Sequence, residues 1–123
     1  MTKQVKIKVN KEETFANSKY LRISPYKVRR VANVIRGEQV TKAMSILNSL
    51  PQKAAFFLSR ALKSAVANAV VKKMSPDNLV VSTLMVNEGS MFKRHQPRAR
   101  GRMFQILKRT SHISIGVCEG RGL

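Results

Sequence analysis

The 123-residue sequence predicts an α+β protein: a small globular domain of three helices packed on a small antiparallel sheet, with a long protruding β-hairpin arm. Three observations carry that reading. Helix-period apolar stripes occur in succession between Ser24 and Met74. Strand-like alternation flanks them on both sides. The stretch KRHQPRARGR (93–102), with five Lys or Arg and no carboxylate, separates two strand-like segments that an ordinary hairpin loop of two to five residues would join.

In MTKQVKIKVNKEET, Val5, Ile7 and Val9 alternate with Lys6 and Lys8, which suits a short strand or a basic tail (1–16) that orders on a partner. It has no apolar signal-peptide core and is not Arg- and Ser-rich like a transit peptide. Thr14–Ile23 contains a strand with Leu21 and Ile23 on one face. Ser24-Pro25 reads as N-cap and first helical residue; Val28, Val31, Ala32 and Ile35 form the stripe, and Gly37 ends the helix. A second helix starts at Thr41, with Ala43, Met44, Ile46 and Leu47 inward. Pro51 opens the third, running to about Met74 with Ala54, Leu58, Ala61, Leu62, Ala65, Val66, Ala69 and Val70 on its apolar face. Ser75-Pro76-Asp77 is a turn. The segments Asn78–Asn87 and Met103–Val117 then pair antiparallel, Ile113, Ile115 and Val117 facing the core.

Length and a 43% hydrophobic fraction suit one domain (1–123) with a modest core. The charge is extreme: 24 Lys and Arg against 6 Asp and Glu, a net +18. Such self-repulsion destabilises a compact chain unless a polyanion absorbs it. An anionic membrane is the weaker partner, because no apolar run approaches the roughly 18 residues of a spanning helix. Lys53, Arg60, Lys63, Lys72 and Lys73 lie off the third helix's stripe, and no acid occurs between Glu38 and Asp77 to neutralise them. Cys118, the single cysteine, rules out an internal disulfide, suits a reducing compartment, and reads as a small apolar residue.

The hairpin strands span 78–117, with the extended arm at about 88–102. Paired over about ten residues per side, the arm reaches roughly 30–35 Å. The globule's radius of gyration is only about 13 Å. Two-stranded ribbons are marginal in water, and seven Lys or Arg from Lys93 to Arg109 add repulsion. Phosphates on both sides of the arm would remove it. Arginine dominates the turn (Arg94, Arg98, Arg100, Arg102), as bidentate phosphate contact favours. Pro97 stiffens the backbone, and Gly101 permits a left-handed conformation.

Catalysis finds no support. The carboxylates are scattered, Glu88 is placed to pair with a neighbouring Arg, and His95 and His112 have no partners at metal-ligand spacing. There is no phosphate-binding glycine motif and no nucleophile elbow. The expectation is no catalytic residue, metal, cofactor or small-molecule substrate. Two binding classes remain: an RNA-embedded structural protein, and an architectural DNA-binding nucleoid protein with a β-arm. The second expects a dimer and an apolar wedge at the tip, where the sequence has Gln96, Arg98 and Arg100. Aromatic residues near the arm are only Phe92 and Phe104, so backbone and shape should dominate recognition. Candidate RNA contacts outside the arm are Lys19, Arg22, Lys27, Arg29, Arg30, Arg36, Lys63 and His112.

SPYKVRRVANVIRG (24–37), KSAVANA (63–69), KRHQPRARGR (93–102) and ILKRTSHISI (106–115), in this order and spacing, resemble large-subunit ribosomal protein twenty-two across Asn17–Val117. The resemblance implies an α+β domain beside the nascent-peptide exit of the large ribosomal subunit. Its hairpin would run inward through several domains of ribosomal RNA, help them assemble, and line the narrow part of the exit tunnel with its tip. Lys93, Arg94, Arg98, Arg100, Arg102, Lys108 and Arg109 match the basic arm residues, and Arg98, Ala99, Arg100, Gly101 and Arg102 the tunnel-lining tip. Partners implied are large-subunit ribosomal RNA, neighbouring ribosomal proteins and the nascent polypeptide, with no membrane. Gly89-Ser90 stands where Gly-Pro is common, predicting a looser arm base, and Gln96 where an apolar residue is usual. Lack of a clear transit peptide suits a cytoplasmic bacterial ribosome, or an organellar one supplied by an organelle's own genes.

Overall fold

The computed structural model describes residues 12–120. The alternating valines and isoleucine of the N-terminal segment lie outside that range. Strand β1 (Glu13–Leu21) leads into α1 (Pro25–Ile35), α2 (Val40–Ser49) and α3 (Lys53–Val71). Strands β2 (Leu79–Glu88), β3 (Phe92–Pro97), β4 (Met103–Lys108) and β5 (Ser111–Glu119) complete the chain. The main sheet has the order β1-β5-β2, antiparallel throughout, while β3 and β4 form a separate ribbon.

The helices form where the sequence places their apolar stripes. Ser24 is the N-cap of α1 with Pro25 at its first turn, and Val28, Val31, Ala32 and Ile35 are buried. Gly37, at φ 83°, turns the chain out of the helix. The third helix is shorter than the sequence suggests. It starts at Lys53, because Pro51 and Gln52 stay extended or bent, and it stops at Val71, where Lys73 adopts φ 61° and Met74 N–H donates back to Ala69 O at 3.1 Å. Val70, expected inward, is half exposed. At 19 residues α3 is long and apolar enough to cross a membrane by length and composition alone. Its Ala54, Leu58, Ala61, Leu62, Ala65 and Ala69 instead close the core. The alanines let α3 lie close across β1 and β5, while α1 packs on β2 and α2 on α3.

Strand boundaries differ from expectation as well. Strand β1 begins at Glu13, so the end of the 1–16 tail segment belongs with the Thr14–Ile23 strand, and Thr14 and Ala16 are buried. The segment Met103–Val117 is two strands, because Ser90 and Met91 face only Arg109 between the pairs Gly89–Thr110 and Phe92–Lys108. That extra residue kinks the ladder and frees the arm from the main sheet. The paired arm is therefore six residues per side, roughly 20 Å rather than 30–35 Å.

Polar groups protect both sheet edges. Gly37 N–H donates to Val81 O, and Val81 N–H donates to Glu38 O, each at 3.0 Å. On the other edge Asn68 Nδ2 donates to Phe15 O at 3.1 Å. Leu58 is fully buried on α3's inward face. Leu58→Ala should lower unfolding free energy by about 2–5 kcal/mol, read from urea denaturation. A loss near zero would mean α3 does not close the core.

Candidate nucleic-acid interface

Arm residues 90–105 are all exposed. Cross-strand register gives the ribbon two unlike faces: Phe92, Arg94, Gln96, Phe104, Ile106 and Lys108 share one, and Lys93, His95, Pro97, Met103, Gln105 and Leu107 the other. At the tip Arg98 N–H donates to Arg102 O at 2.6 Å, closing a turn in which Arg100 and Gly101 take φ 64° and 72°. A Cβ at Gly101 would meet nothing within 4 Å, so only the backbone demands glycine there. The Arg98 guanidinium lies 5.7 Å from the Phe104 ring centroid.

At the arm's root, Gly89 N–H donates to Thr110 O at 2.9 Å and Thr110 Oγ1 donates to Ser90 O at 2.6 Å. A Cβ on Gly89 would collide with Thr110 Oγ1. These bonds pin the base with serine at position 90, through its carbonyl. Beside them opens a groove of about 590 Å³ that brings together Arg22, Lys27, Lys53, Arg94, Lys108 and Arg109, with no carboxylate. Ile23, Phe92 and Leu107 supply its apolar wall. The Phe92 ring has the Arg22 guanidinium 4.9 Å and that of Arg94 5.8 Å from its centroid. Lys53, which sequence reasoning left off the site, reaches Arg22 O at 3.5 Å. Its one signal was acid-free charge; nothing local links it to residues 31 and 41 positions away.

The other sequence-predicted residues divide into two groups. Arg29 donates to Val86 O at 3.0 Å, and Arg36 to Leu84 O at 2.8 Å and Asn33 Oδ1 at 2.7 Å. Both guanidiniums thus tie α1 to the outer edge of β2. His112 Nδ1 accepts from Tyr20 N–H at 3.0 Å, and its ring meets Tyr20 edge-on. Lys19, Arg30, Lys63, Lys93, Arg98, Arg100 and Arg102 remain exposed. Among the described residues Glu88, expected to pair with an arginine, makes no ion pair, and the ion pair present is Lys42–Glu38 at 3.1 Å. Ser82 Oγ donates to Glu13, and Ser75 N–H donates to Glu119 Oε1 at 2.6 Å, holding those acids in the domain away from the arm. Burial pushes the Cys118 thiol up, so it is not a ready thiolate. No group of three or more metal-binding side chains occurs among the described residues.

An α+β body with an acid-free cationic groove and an exposed, arginine-tipped ribbon presents a surface complementary to polyanions. Comparison with known proteins narrows this class. Residues 16–118 match the family model described as Ribosomal protein L22p/L17e. The chain is 53% identical to the large ribosomal subunit protein uL22 of Herpetosiphon aurantiacus, over 83% of this chain and 91% of that protein. It is 46% identical to that of Desulfosudis oleivorans (88% and 95%) and 50% identical to that of Magnetococcus marinus (87% and 96%). The chain belongs to the ribosomal protein L22p/L17e family, a family of structural proteins and not enzymes. The matched span agrees with the sequence resemblance to within one residue at each end.

Proposed function

We propose that the protein is a structural constituent of the large ribosomal subunit in the cytoplasm, where it binds several domains of large-subunit ribosomal RNA and helps them assemble. The reading rests on one observation above all: the exposed arm and the groove at its root are rich in Lys and Arg and hold no carboxylate, on a chain of net charge +18. The groove cations and Lys93 hold phosphates at the arm's root and shaft. The tip, Arg98–Arg102, faces the nascent polypeptide in the exit tunnel, and neighbouring large-subunit proteins cover part of the body. Arg30, Lys19 and Lys63, exposed on α1, β1 and α3, add phosphate contacts from the domain. Arg29, Arg36 and His112 serve RNA binding indirectly, by fixing α1 and the arm's root.

Co-sedimentation tests this. The protein should stay with large subunits through a high-salt wash, because a buried arm cannot dissociate contact by contact. Recovery chiefly with chromosomal DNA would overturn the reading in favour of a nucleoid protein.

A further inference from the structure

We infer that the groove at the root of the arm is a site for an unpaired nucleotide within an RNA strand, its base stacked on Phe92 and its flanking phosphates held by the surrounding cations. The inference rests on the RNA-binding reading and specifies what one part of that surface takes. A site that only neutralised phosphate would need no apolar wall. This one sets Phe92 (39% exposed) and Leu107 (37% exposed) within a rim of Lys and Arg, leaving both partly open to water. Its volume of about 590 Å³ lies within the roughly 300–1,000 Å³ of sites that enclose small molecules.

Phe92 is also the arm aromatic that contacts the domain. Its ring lies across the first ribbon pair from Lys108, with the Arg22 guanidinium 4.9 Å away. A flat base entering there can rest on the ring as the Arg22 and Arg94 guanidiniums, which now lie over it, turn aside to the flanking phosphates. The phosphates on either side of that base then fall to Lys53 and Lys27 from the domain and to Arg94 and Arg109 from the arm. One nucleotide would thereby bridge two bodies that the kink at Ser90–Met91 makes separate. A paired duplex offers no free base face, so the groove should distinguish bulged from fully paired RNA.

Fluorescence anisotropy of the full chain can test this with a labelled RNA duplex and the same duplex carrying a central bulge of unpaired uridines. The parent should bind the bulged RNA about tenfold more tightly than the paired one. Phe92→Leu, which keeps the wall apolar but removes the aromatic face, should bring that ratio close to one. With 4-thiouridine in the bulge, ultraviolet cross-links should fall on the groove, at Phe92 or its neighbours. Equal affinity of the parent for both RNAs, or an undiminished ratio in Phe92→Leu, would overturn the inference while leaving RNA binding intact. Cross-links confined to the tip would do the same, as would equally strong displacement of the bulged RNA by polyglutamate and by oligouridylate. Failure to bind either RNA would defeat the inference and the RNA-binding reading together.

Discussion

Replacing Lys93, Arg94, Lys108 and Arg109 together by Gln should weaken binding to large-subunit ribosomal RNA by about three orders of magnitude near 0.1 M salt. Each neutralised phosphate contributes roughly −0.7 to −0.9 to the slope of log affinity against log salt. Four lost contacts should therefore flatten that slope by about 3. The substitutions touch no core residue, and all four side chains are exposed, so the thermal melt should scarcely change. Removing like charges from a marginal ribbon relieves repulsion rather than unfolding it. Filter binding across a salt series gives both quantities. An unchanged slope with a normal melt would remove the arm's shaft from the RNA interface.

The body was legible because its signals are local. Ser24-Pro25, the α1 stripe and the alternation Ile113-Ile115-Val117 each sit within a few residues, and each is an element with the expected inward face. Boundaries were less legible where tertiary contacts decide them. Thr14 and Ala16 count as strand because β5 lies alongside, pairing Thr14 with Val117 and Ala16 with Ile115. The break at Arg109–Thr110 depends on an unequal residue count between strands, which only the register reveals. For the site, composition identifies a cationic surface but not which cations are free. Arg29 and Arg30 are neighbours of the same type. Arg29 reaches a β2 carbonyl while Arg30 stays exposed, a difference set by helix phase relative to the sheet. Lys53 joins Arg22 and Arg109 only through folding.

Shortening the arm should separate its two tasks. In the ribbon Arg94 pairs with Ile106, so removing 95–105 and joining these two residues through Asn-Gly preserves their register under a two-residue turn. Closing instead between Arg94 and Met103 would slip the ladder by three residues and turn its faces over. The shortened variant keeps Lys93, Arg94, Lys108 and Arg109, the groove and the whole helical body, and loses Arg98, Arg100 and Arg102. Root and domain cations should outweigh those three tip arginines, so the variant should enter large subunits. On the proposed placement the tunnel would widen where the tip is missing. Nascent chains that arrest by touching that wall should then be translated through, turning stalling into mostly full-length product. The measurement compares read-through of several arrest peptides on purified variant and parent ribosomes. Normal incorporation with undiminished stalling on every peptide would mean that the tip does not line the tunnel. Failure to incorporate would assign the tip arginines to assembly, since the body and root charges were retained.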